Sequence, residues 1–231
     1  VGAVVVFLPQ ILLLFLLILL RALDPGPIEL LRLKTFDFYQ RLKPREVPPE
    51  RPVVIIDIDE RSLFEVGQFP WARTKVAQLV DNLREYGVAV LGFDIVFAEP
   101  DRLNPSNLAD SLAENITASG ASVSQDELTP LYNLPSNDEI LGQAIAKLPT
   151  VVGQGGLREK VPGKAPYEGP KPSFGSKGGN PLPYIRAKFP DMAWNVPAID
   201  SMATGRGVFS TNPELDGVIR RIPLVMHVDG T

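Results

Sequence analysis

The sequence predicts an α/β protein: an N-terminal transmembrane helix followed by a mixed, mainly parallel sheet with flanking helices and a C-terminal antiparallel hairpin. Three observations support this prediction. The chain opens with a long uncharged apolar run, apolar runs then alternate with amphipathic segments from residue 52, and two apolar segments near the end flank the polar stretch NPELD. Alternating strand and helix patterns are typical of a parallel sheet covered by helices.

Composition limits both the fold and the function. The 231 residues are 45% hydrophobic and 22% charged, which is enough apolar material for one large domain or two small ones. The net charge is -4, so the basic surface that nucleic-acid binding requires is not expected. The chain has no cysteine and one histidine, which excludes disulfides and cysteine-ligated metal sites and leaves little for a Ser-His-Asp triad.

Residues 1–21 are predicted to form the transmembrane helix. The sequence VGAVVVFLPQILLLFLLILL carries no charge and is interrupted only by Pro9 and Gln10. About 20 helical residues cross the hydrocarbon core of a bilayer. A cleaved signal peptide would have an apolar core of about 7 to 15 residues and a small-residue cleavage site, and residues 21–24 offer no such site. We therefore expect the chain to be anchored in a membrane.

Residues 22–49 are predicted to form a juxtamembrane helix and a linker. Two prolines precede the segment IELLRLKTFDFYQRL, and proline is favoured in the first turn of a helix. The proline-rich stretch LKPREVPPERP cannot continue that helix, so a domain boundary is expected near Pro49. Residues 50–231 would then form one domain, which we expect to continue past Thr231 because its last predicted element is a strand.

The domain of residues 50–231 is predicted to begin with a βαβ unit. A continuous apolar run at residues 53–58 indicates the first strand, ARTKVAQLVDNLREYG an amphipathic helix closed by Gly87, and VAVLGFDIVF the second strand. The helix SNDEILGQAIAKL, with Ser136 or Asp138 as its cap, and the strand TVVGQG repeat the pattern. Such continuous apolar strands are typical of a parallel sheet buried on both faces.

The remaining segments are predicted from their polar and turn residues. Residues 101–135 are expected to be a polar insertion with one short helix at residues 106–114. The sequence GQGG at residues 153–156 suggests a tight turn. Near the end, GRGVFST and GVIRRIPLVMHV predict two antiparallel strands joined by a short polar turn.

Three aspartates follow the first two predicted strands. Asp57 and Asp59 come at the end of the first strand and Asp94 at the end of the second. Ligands of parallel sheets collect beyond the carboxyl ends of the strands, so these carboxylates are candidates for one ligand edge. They would hold a hard cation or an ammonium group there, and no other cofactor is expected. The alternative is that they cap helices or pair with arginines such as Arg73 and Arg220.

An apolar strand followed by Asp-x-Asp is also similar to the start of the haloacid-dehalogenase phosphatases. In that family the first aspartate attacks phosphorus and the second transfers protons. Here Asp59 is followed by ERS instead of glycine or threonine-like residues, and the second strand ends in GFDI instead of a serine or threonine. We therefore predict that this chain is not an enzyme.

Four segments in order resemble a known family of sensor domains. They are VVIIDIDERSLFEVGQFPWART, VAVLGFDIVFAEPD, NDEILGQAIAKLPTVVGQ and GRGVFSTNPELDGVIRRIPLV, and over roughly residues 35–228 they are similar to the second type of CHASE domain. The resemblance implies a sensor on the extracytoplasmic side of the bacterial cytoplasmic membrane. It also implies a cytoplasmic output domain outside this chain, such as an adenylate or guanylate cyclase, a histidine kinase or a serine/threonine kinase.

The family pattern falls on a small set of residues in this sequence: Asp57, Asp59, Ser62, Pro70, Trp71, Arg73, Asp94, Asp216, Gly217 and Arg220. The candidate ligand-binding residues among them are Asp57, Asp59, Arg73, Asp94 and Arg220. Pro70, Trp71, Asp216 and Gly217 are expected to be structural.

Physical roles can be assigned to the other positions of the pattern. Pro70 fixes a backbone angle and Trp71 buries a large apolar face, so both are predicted to anchor the turn before the helix. Asp216-Gly217 is a turn signal, since glycine tolerates a positive φ. Arg220 and Arg221 alternate faces in a strand, so one should point inward and meet a carboxylate or an anionic ligand.

Two functions from different classes remain compatible with the sequence. The first is a sensory input domain that binds an unknown small molecule or ion and regulates an output domain through the membrane. The alternative is a ligand-free module that dimerises the receptor or contacts a periplasmic protein. The expected partners are a membrane, a second copy of the chain and an unidentified small-molecule, ion or protein ligand.

Overall fold

The computed structural model describes residues 2–46, 50, 53–164, 167–170, 177–185 and 187–229. Pro49, where the domain boundary was predicted, lies outside the described residues. The chain divides into two compact units. The first contains Val1–Asp57 and Asn212–Ile222, and the second contains Ile58–Thr211 and Pro223–Thr231.

Two helices begin the first unit: α1, Gly2–Leu23, and α2, Gly26–Leu42. Pro25 precedes α2 in an extended conformation and a second proline lies in its first turn, as predicted. Over the described residues, no single helix is long and apolar enough to cross a membrane. The bent pair Phe7–Leu23 and Gly26–Leu42, with an 80° bend, passes the same test by length and composition only. The membrane span at residues 1–21 stays a prediction.

The described residues of the second unit form a mixed sheet and its flanking helices. The helices are α3 (Glu60–Val66), α4 (Arg73–Glu85), α5 (Pro105–Ala118), α6 (Gln125–Tyr132), α7 (Asn137–Ile145) and α8 (Pro197–Asp200). The strands are β1 (Leu91–Gly92), β2 (Thr150–Leu157), β3 (Lys188–Phe189), β4 (Asp191–Ala193), β5 (Gly205–Val208) and β6 (His227–Val228).

Strand β2 is the centre of the sheet. Its first half pairs in parallel with β1, where Leu91 lies opposite Thr150, and with β5. Its second half pairs antiparallel with β4, where Gly155 lies opposite Ala193. Strands β3 and β6 form a separate parallel pair. The predicted mixed, mainly parallel sheet is therefore confirmed.

The core lies between α4, α7 and the sheet. Val80 of α4, Leu141 of α7, Val152 of β2 and Ile199 of α8 belong to one cluster and are each completely buried. The apolar residues of α4 and α7 recur at helical spacing, so both helices turn one apolar face toward this cluster. Burial of these side chains fixes the two helices against each other.

The predicted ends of α4 and α7 are confirmed. Gly87 follows α4 with a φ of 82°, which glycine adopts more readily than other residues. Ser136 caps α7, since its hydroxyl accepts a hydrogen bond from the Glu139 backbone N–H and the Glu139 carboxylate accepts one from the Ser136 backbone. Asp138, the other predicted cap, lies inside the helix.

Residues 101–135 contain more helix than predicted. Helix α5 extends the predicted short helix, and α6 follows it. A capping box between Ser124 and Glu127 starts α6, and the hydroxyl of Tyr132 donates to the Asp110 carboxylate. The Ser-x-x-Glu spacing in the sequence already contained this helix-start signal.

The first predicted strand is wrong. Residues 53–58 pair with no described strand, and Val54 and Ile55 are 82% and 87% exposed. An apolar run becomes a strand only where a neighbouring backbone accepts its hydrogen bonds. The second predicted strand is reduced to the two residues of β1, so little paired backbone is available there.

The predicted C-terminal antiparallel hairpin is also wrong. Strand β5 pairs in parallel with β2, and β6 pairs in parallel with β3. Residues 212–222 between them belong to the first unit, where Arg220 donates hydrogen bonds to Asp37 of α2. An ion pair with a residue far away in sequence therefore replaces the local pairing.

The glycines of GQGG lie within β2 instead of a tight turn. A Cβ on Gly153 would approach the carbonyl oxygen of Ile95 to 2.8 Å, and a Cβ on Gly156 would approach the ring of Phe189 to 2.5 Å. Neighbouring groups come too close for a side chain at either position. Glycine at these two positions of the strand therefore allows neighbouring groups to pack closely against the backbone.

Candidate functional site

A small cavity in the second unit lies between the segment that precedes α4 and the segment that follows β1. Its volume is about 110 Å³. The residues that line it are Pro70, Trp71, Arg73, Glu99, Pro100, Asp101 and Arg102. The structure thus brings together Pro70, Trp71 and Arg73, three of the residues that the sequence pattern selected.

Trp71 forms one wall of the cavity. Its indole N–H donates to the Gly67 carbonyl oxygen at 2.7 Å, and its ring meets the Phe69 ring edge to face at 5.9 Å between centroids. The Phe69-Pro70 peptide bond between them is cis. These contacts hold the half-buried indole in one position, as expected for an anchor of this turn.

Arg73 is the first residue of α4, and its side chain is 13% exposed. The guanidinium lies over the Phe97 ring, 4.6 Å from its centroid. Its Nε is 3.5 Å from Oδ1 of Asp138, too far for a good hydrogen bond. Both atoms are buried without a hydrogen-bond partner, and the terminal nitrogens of Arg73 make no hydrogen bond to any residue in the described part of the chain. Arg73 therefore presents charged side-chain donors that no described residue satisfies.

Asp101 forms the floor of the cavity and is 5% exposed. Its carboxylate accepts hydrogen bonds from the backbone N–H of Arg73 at 2.7 Å, the backbone N–H of Leu103 at 3.0 Å and the Asn137 side chain at 3.0 Å. Burial alone would raise the pKa of Asp101, but these hydrogen bonds and the charge of Arg73 outweigh it and hold the pKa below its usual value. The carboxylate is therefore ionised near neutral pH.

Asp138 supports Asp101 from helix α7 and is 4% exposed. Its Oδ2 accepts from the Asp101 backbone N–H and from the Asn104 side chain, each at 2.9 Å. The Asn104 side chain accepts in turn from the Asn137 backbone N–H at 2.7 Å. This buried network joins the starts of α4 and α7 to the segment that follows β1.

The predicted aspartate edge lies outside the cavity lining. Asp59 caps α3, where its carboxylate accepts from the Ser62 backbone N–H at 2.9 Å and hydroxyl at 2.8 Å, and these bonds lower its pKa. Asp57 and Asp94 are exposed and make no hydrogen bond or ion pair with a described residue. No group of three or more His, Asp or Glu side chains in the described part of the chain is placed to hold a metal ion, so a cation at this edge has no support.

Arg220 belongs to the first unit, where it meets two carboxylates. Its side chain is 4% exposed and donates to Asp37 and Asp216, with all four nitrogen–oxygen distances at 2.7 Å. Lys34 also donates to Asp216, at 2.9 Å. The hydrogen bonds from Arg220 hold the pKa of both carboxyls below its usual range. Arg220 is therefore an internal ion-pair residue, and the alternative of an anionic ligand at Arg220 has no support here.

The turn beside Arg220 also follows the sequence pattern. Gly217 has a φ of 77°, and its backbone N–H donates to Glu214 at 2.9 Å. Arg221 is 70% exposed at its side chain and pairs with Glu214 at the surface. One arginine faces inward and the other outward, although this segment is not a strand.

A second buried cluster in the second unit is satisfied internally. Asp200 is 2% exposed and accepts from Arg206 and from the Tyr167 hydroxyl, which lies 2.7 Å away. Burial and the Asp200 hydrogen bond raise the pKa of Tyr167 to about 12. The Tyr167 ring stacks on Trp194 with 4.0 Å between centroids. Each of these polar groups has a partner, so the cluster is structural.

Sequence reasoning missed most of the buried network. Asp101 was noted only as the first residue of the predicted polar insertion, Asp138 only as a cap, and Asn104 and Asn137 not at all. Asn104 lies just before a proline that starts α5, and Asn137 starts α7. Both positions are typical of helix starts, which is the only local signal that they carry.

Asp101→Asn should lower the free energy of unfolding by about 2 kcal/mol, since an amide nitrogen replaces an oxygen that accepts charge-assisted hydrogen bonds. The depressed pKa of Asp101 means that its contribution is complete above its ordinary pKa and is lost as the pH falls through the folded value. The difference between wild type and variant should therefore be constant from about pH 5 to about pH 8 and shrink in stronger acid. Chemical denaturation over this range measures it.

Asp94→Asn is the matched control for this measurement. Asp94 is exposed and makes no hydrogen bond or ion pair with a described residue, so its replacement should change the free energy of unfolding by less than about 0.5 kcal/mol. Equal effects of the two substitutions would contradict the role assigned to Asp101.

Comparison with known protein families gave a match. The family model of the CHASE2 domain matches residues 11–229. Curated proteins and solved structures gave no match. The family match covers nearly all of the chain, including the cavity, the buried network and the Arg220 cluster. The chain therefore belongs to the CHASE2 domain family, whose members are extracytoplasmic sensory domains of membrane receptors.

Proposed function

We propose that this chain is the extracytoplasmic input domain of a bacterial membrane receptor and that the Trp71–Arg73 cavity binds its small ligand. One observation carries the proposal: Arg73 lines the cavity, and its side-chain donors have no hydrogen-bond acceptor among the described residues. A buried charged group without a full set of partners is costly, so a ligand that supplies acceptors gains that energy.

The position of the cavity explains how binding would produce a signal. A ligand shifts a conformational equilibrium only if it binds one state more tightly than the other. Arg73 begins α4, and its guanidinium pairs with the carboxylate of Asp138 in the first turn of α7. A ligand that draws Arg73 toward itself would alter this contact between the starts of two packed core helices.

The first unit supports a route toward the membrane. The apolar helix α1 would anchor the chain, and α2 follows it directly. Arg220, which comes after β5 in the chain, is bound to Asp37 of α2. A displacement of the segment that carries Arg220 would be transmitted to α2 through this ion pair. A cyclase or kinase output domain would lie on the cytoplasmic side.

We place catalysis in the proposed output domain. The described residues that line the cavity include no serine, threonine, cysteine, lysine or histidine, which are common nucleophiles and bases. Of its two lining carboxylates, that of Asp101 is engaged by three donors and that of Glu99 is exposed.

A second candidate function is ligand-free dimerisation. The observation that favours it is the exposure of Val53, Val54 and Ile55, which are 74%, 82% and 87% exposed. Consecutive exposed branched residues of this kind are favourable contact surface for another chain. A second copy that covers these residues would explain why they are exposed in the single chain.

A thermal-shift screen of the full chain in detergent tests the first proposal. At least one compound from a library of small metabolites and inorganic ions should raise the unfolding temperature, because a ligand at about 100 times its Kd stabilises the folded state by about 2.7 kcal/mol. The effect should be lost in Trp71→Leu, which removes the indole wall. Arg84→Gln, on the exposed side of α4, should keep it.

No stabilising compound across broad metabolite, metal and pH panels would count against a ligand site. An equal stabilisation of wild type and Trp71→Leu would place the binding site elsewhere.

Analytical ultracentrifugation in detergent tests the second candidate. Under this proposal the wild-type chain is a dimer, and Ile55→Asp should weaken its association at least tenfold, since it places a charge in an apolar contact. Leu134→Asp is the control, because Leu134 is 53% exposed outside this stretch. A monomeric wild type, or equal dimers of all three proteins, would exclude dimerisation through residues 53–55.

Cysteine labelling tests the location of the domain. The chain contains no cysteine, so Glu159→Cys in an exposed position would give one reactive thiol. A membrane-impermeant maleimide should label this thiol in intact spheroplasts as completely as after permeabilisation. Labelling only after permeabilisation would put the domain in the cytoplasm.

A further inference from the structure

The charges that surround Arg73 restrict what the cavity can bind. Two arginines, Arg73 and Arg102, and two acids, Glu99 and Asp101, line the cavity. Asp138 adds a third carboxylate, 3.5 Å from Arg73. The net charge of these five side chains is -1. A simple anion could bind the donors of Arg73, but the surrounding charges would repel it. A ligand with both a negative and a positive group matches this arrangement better.

The negative group of such a ligand fits Arg73. A guanidinium presents parallel N–H donors that match a carboxylate, and the terminal nitrogens of Arg73 make no hydrogen bond to any described residue. The Asp101 carboxylate cannot take a positive group in the same way, because three donors already occupy it. Arg73 is therefore the anchoring cation, while Asp101 holds its backbone in place.

The positive group of the ligand fits the rim. Glu99 is exposed and makes no hydrogen bond or ion pair with a described residue, so its carboxylate is available. The indole of Trp71 is held in place by Gly67 and Phe69 and offers an aromatic face, the preferred aromatic partner of an ammonium group. Glu99 and Trp71 lie on the same cavity and would share one ammonium group.

The cavity is small, with a volume of about 110 Å³. A ligand with few non-hydrogen atoms, such as glycine or alanine, matches this scale.

We propose that the Trp71–Arg73 cavity binds a small zwitterion of the amino-acid type, with its carboxylate on Arg73 and its ammonium group between Trp71 and Glu99. This proposal rests on the proposed function, in which the same cavity is the ligand site. It assigns the ligand class and the residue that recognises each end.

Fluorescence titration of the full chain in detergent tests the ligand class. The chain has two tryptophans, so a Trp194→Phe background leaves Trp71 as the only indole reporter. The probes are glycine and alanine, together with acetate and methylammonium, which each carry one end of glycine. Glycine or alanine should change the Trp71 emission with a Kd at least tenfold lower than that of acetate or methylammonium.

Conservative variants identify the groups that recognise each end. Arg73→Lys keeps the charge but removes the planar fork, and should weaken amino-acid binding at least tenfold. Glu99→Gln should weaken it by a similar factor without weakening acetate binding. The matched controls are Arg84→Lys and Glu85→Gln on the exposed side of α4, which should bind like the parent. Circular dichroism of Arg73→Lys shows whether its fold is retained.

Three outcomes would overturn the proposal. Acetate that binds as tightly as glycine would reduce the ligand to a carboxylate, and methylammonium that binds as tightly would reduce it to a cation. Failure of all four probes, while a different library compound binds at Trp71, would show a ligand site of another chemical class. If no compound of any class perturbs Trp71, the proposed function itself fails, so the two failures are distinguishable.

Discussion

The geometry of the candidate site depends on one buried, ionised carboxylate, that of Asp101. A buried charge costs several kcal/mol unless hydrogen bonds replace the water that it loses. Asp101 receives three such bonds, from the backbone of Arg73 at the start of α4, from the backbone of Leu103 and from Asn137 at the start of α7. The requirement to satisfy one charge therefore fixes three segments of the chain at the same point.

Asp138 extends this hydrogen-bond network, but only one of its two carboxylate oxygens is satisfied. Its Oδ2 is satisfied by the Asp101 backbone and Asn104, but its Oδ1 faces Arg73 without a hydrogen bond. Arg73 therefore lies near two carboxylates without a close pairing to either side chain, and Phe97 supports the flat face of its guanidinium. An arginine in this state is held in place but retains donors, which is the property a binding residue needs. Arg220 is the opposite case, because Asp37 and Asp216 occupy its donors.

Local patterns predicted the elements whose stability is local. The amphipathic spacing of α4 and α7, the Ser136 cap and the end of α4 at Gly87 all depend on residues within a few positions of each other. The parallel pairing of β1 with β2 also followed from the alternation of apolar runs. Among the residues that line the cavity, the family pattern in the sequence had selected Pro70, Trp71 and Arg73.

The failures share one physical cause, which is dependence on distant partners. Residues 53–58 have the apolar, β-branched composition of a strand. A strand also requires a neighbouring strand to pair with, and the hydrophobic periodicity of a segment does not show whether such a neighbour exists. The C-terminal hairpin was lost because Arg220 bonds Asp37, 183 positions away. The same limit hid the buried network, since Asp101 meets Arg73 and Asn137 across 28 and 36 positions. The exposed Asp57 and Asp94 follow apolar runs and were therefore easier to notice in the sequence than the residues of the buried network.

The two arginines also differ in what can move them. The hydrogen bonds from Arg220 depress the pKa of Asp37 and Asp216, so their contribution to stability is complete above the ordinary aspartate pKa and is lost only as the pH falls through the depressed values. Near neutral pH both carboxyls are therefore ionised and the ion pair is fully charged. Arg73 has only a weak contact to Asp138 and side-chain donors with no described hydrogen-bond acceptor. Under the proposed function, Arg73 is therefore the arginine that a ligand would displace, and Arg220 keeps its two carboxylate partners.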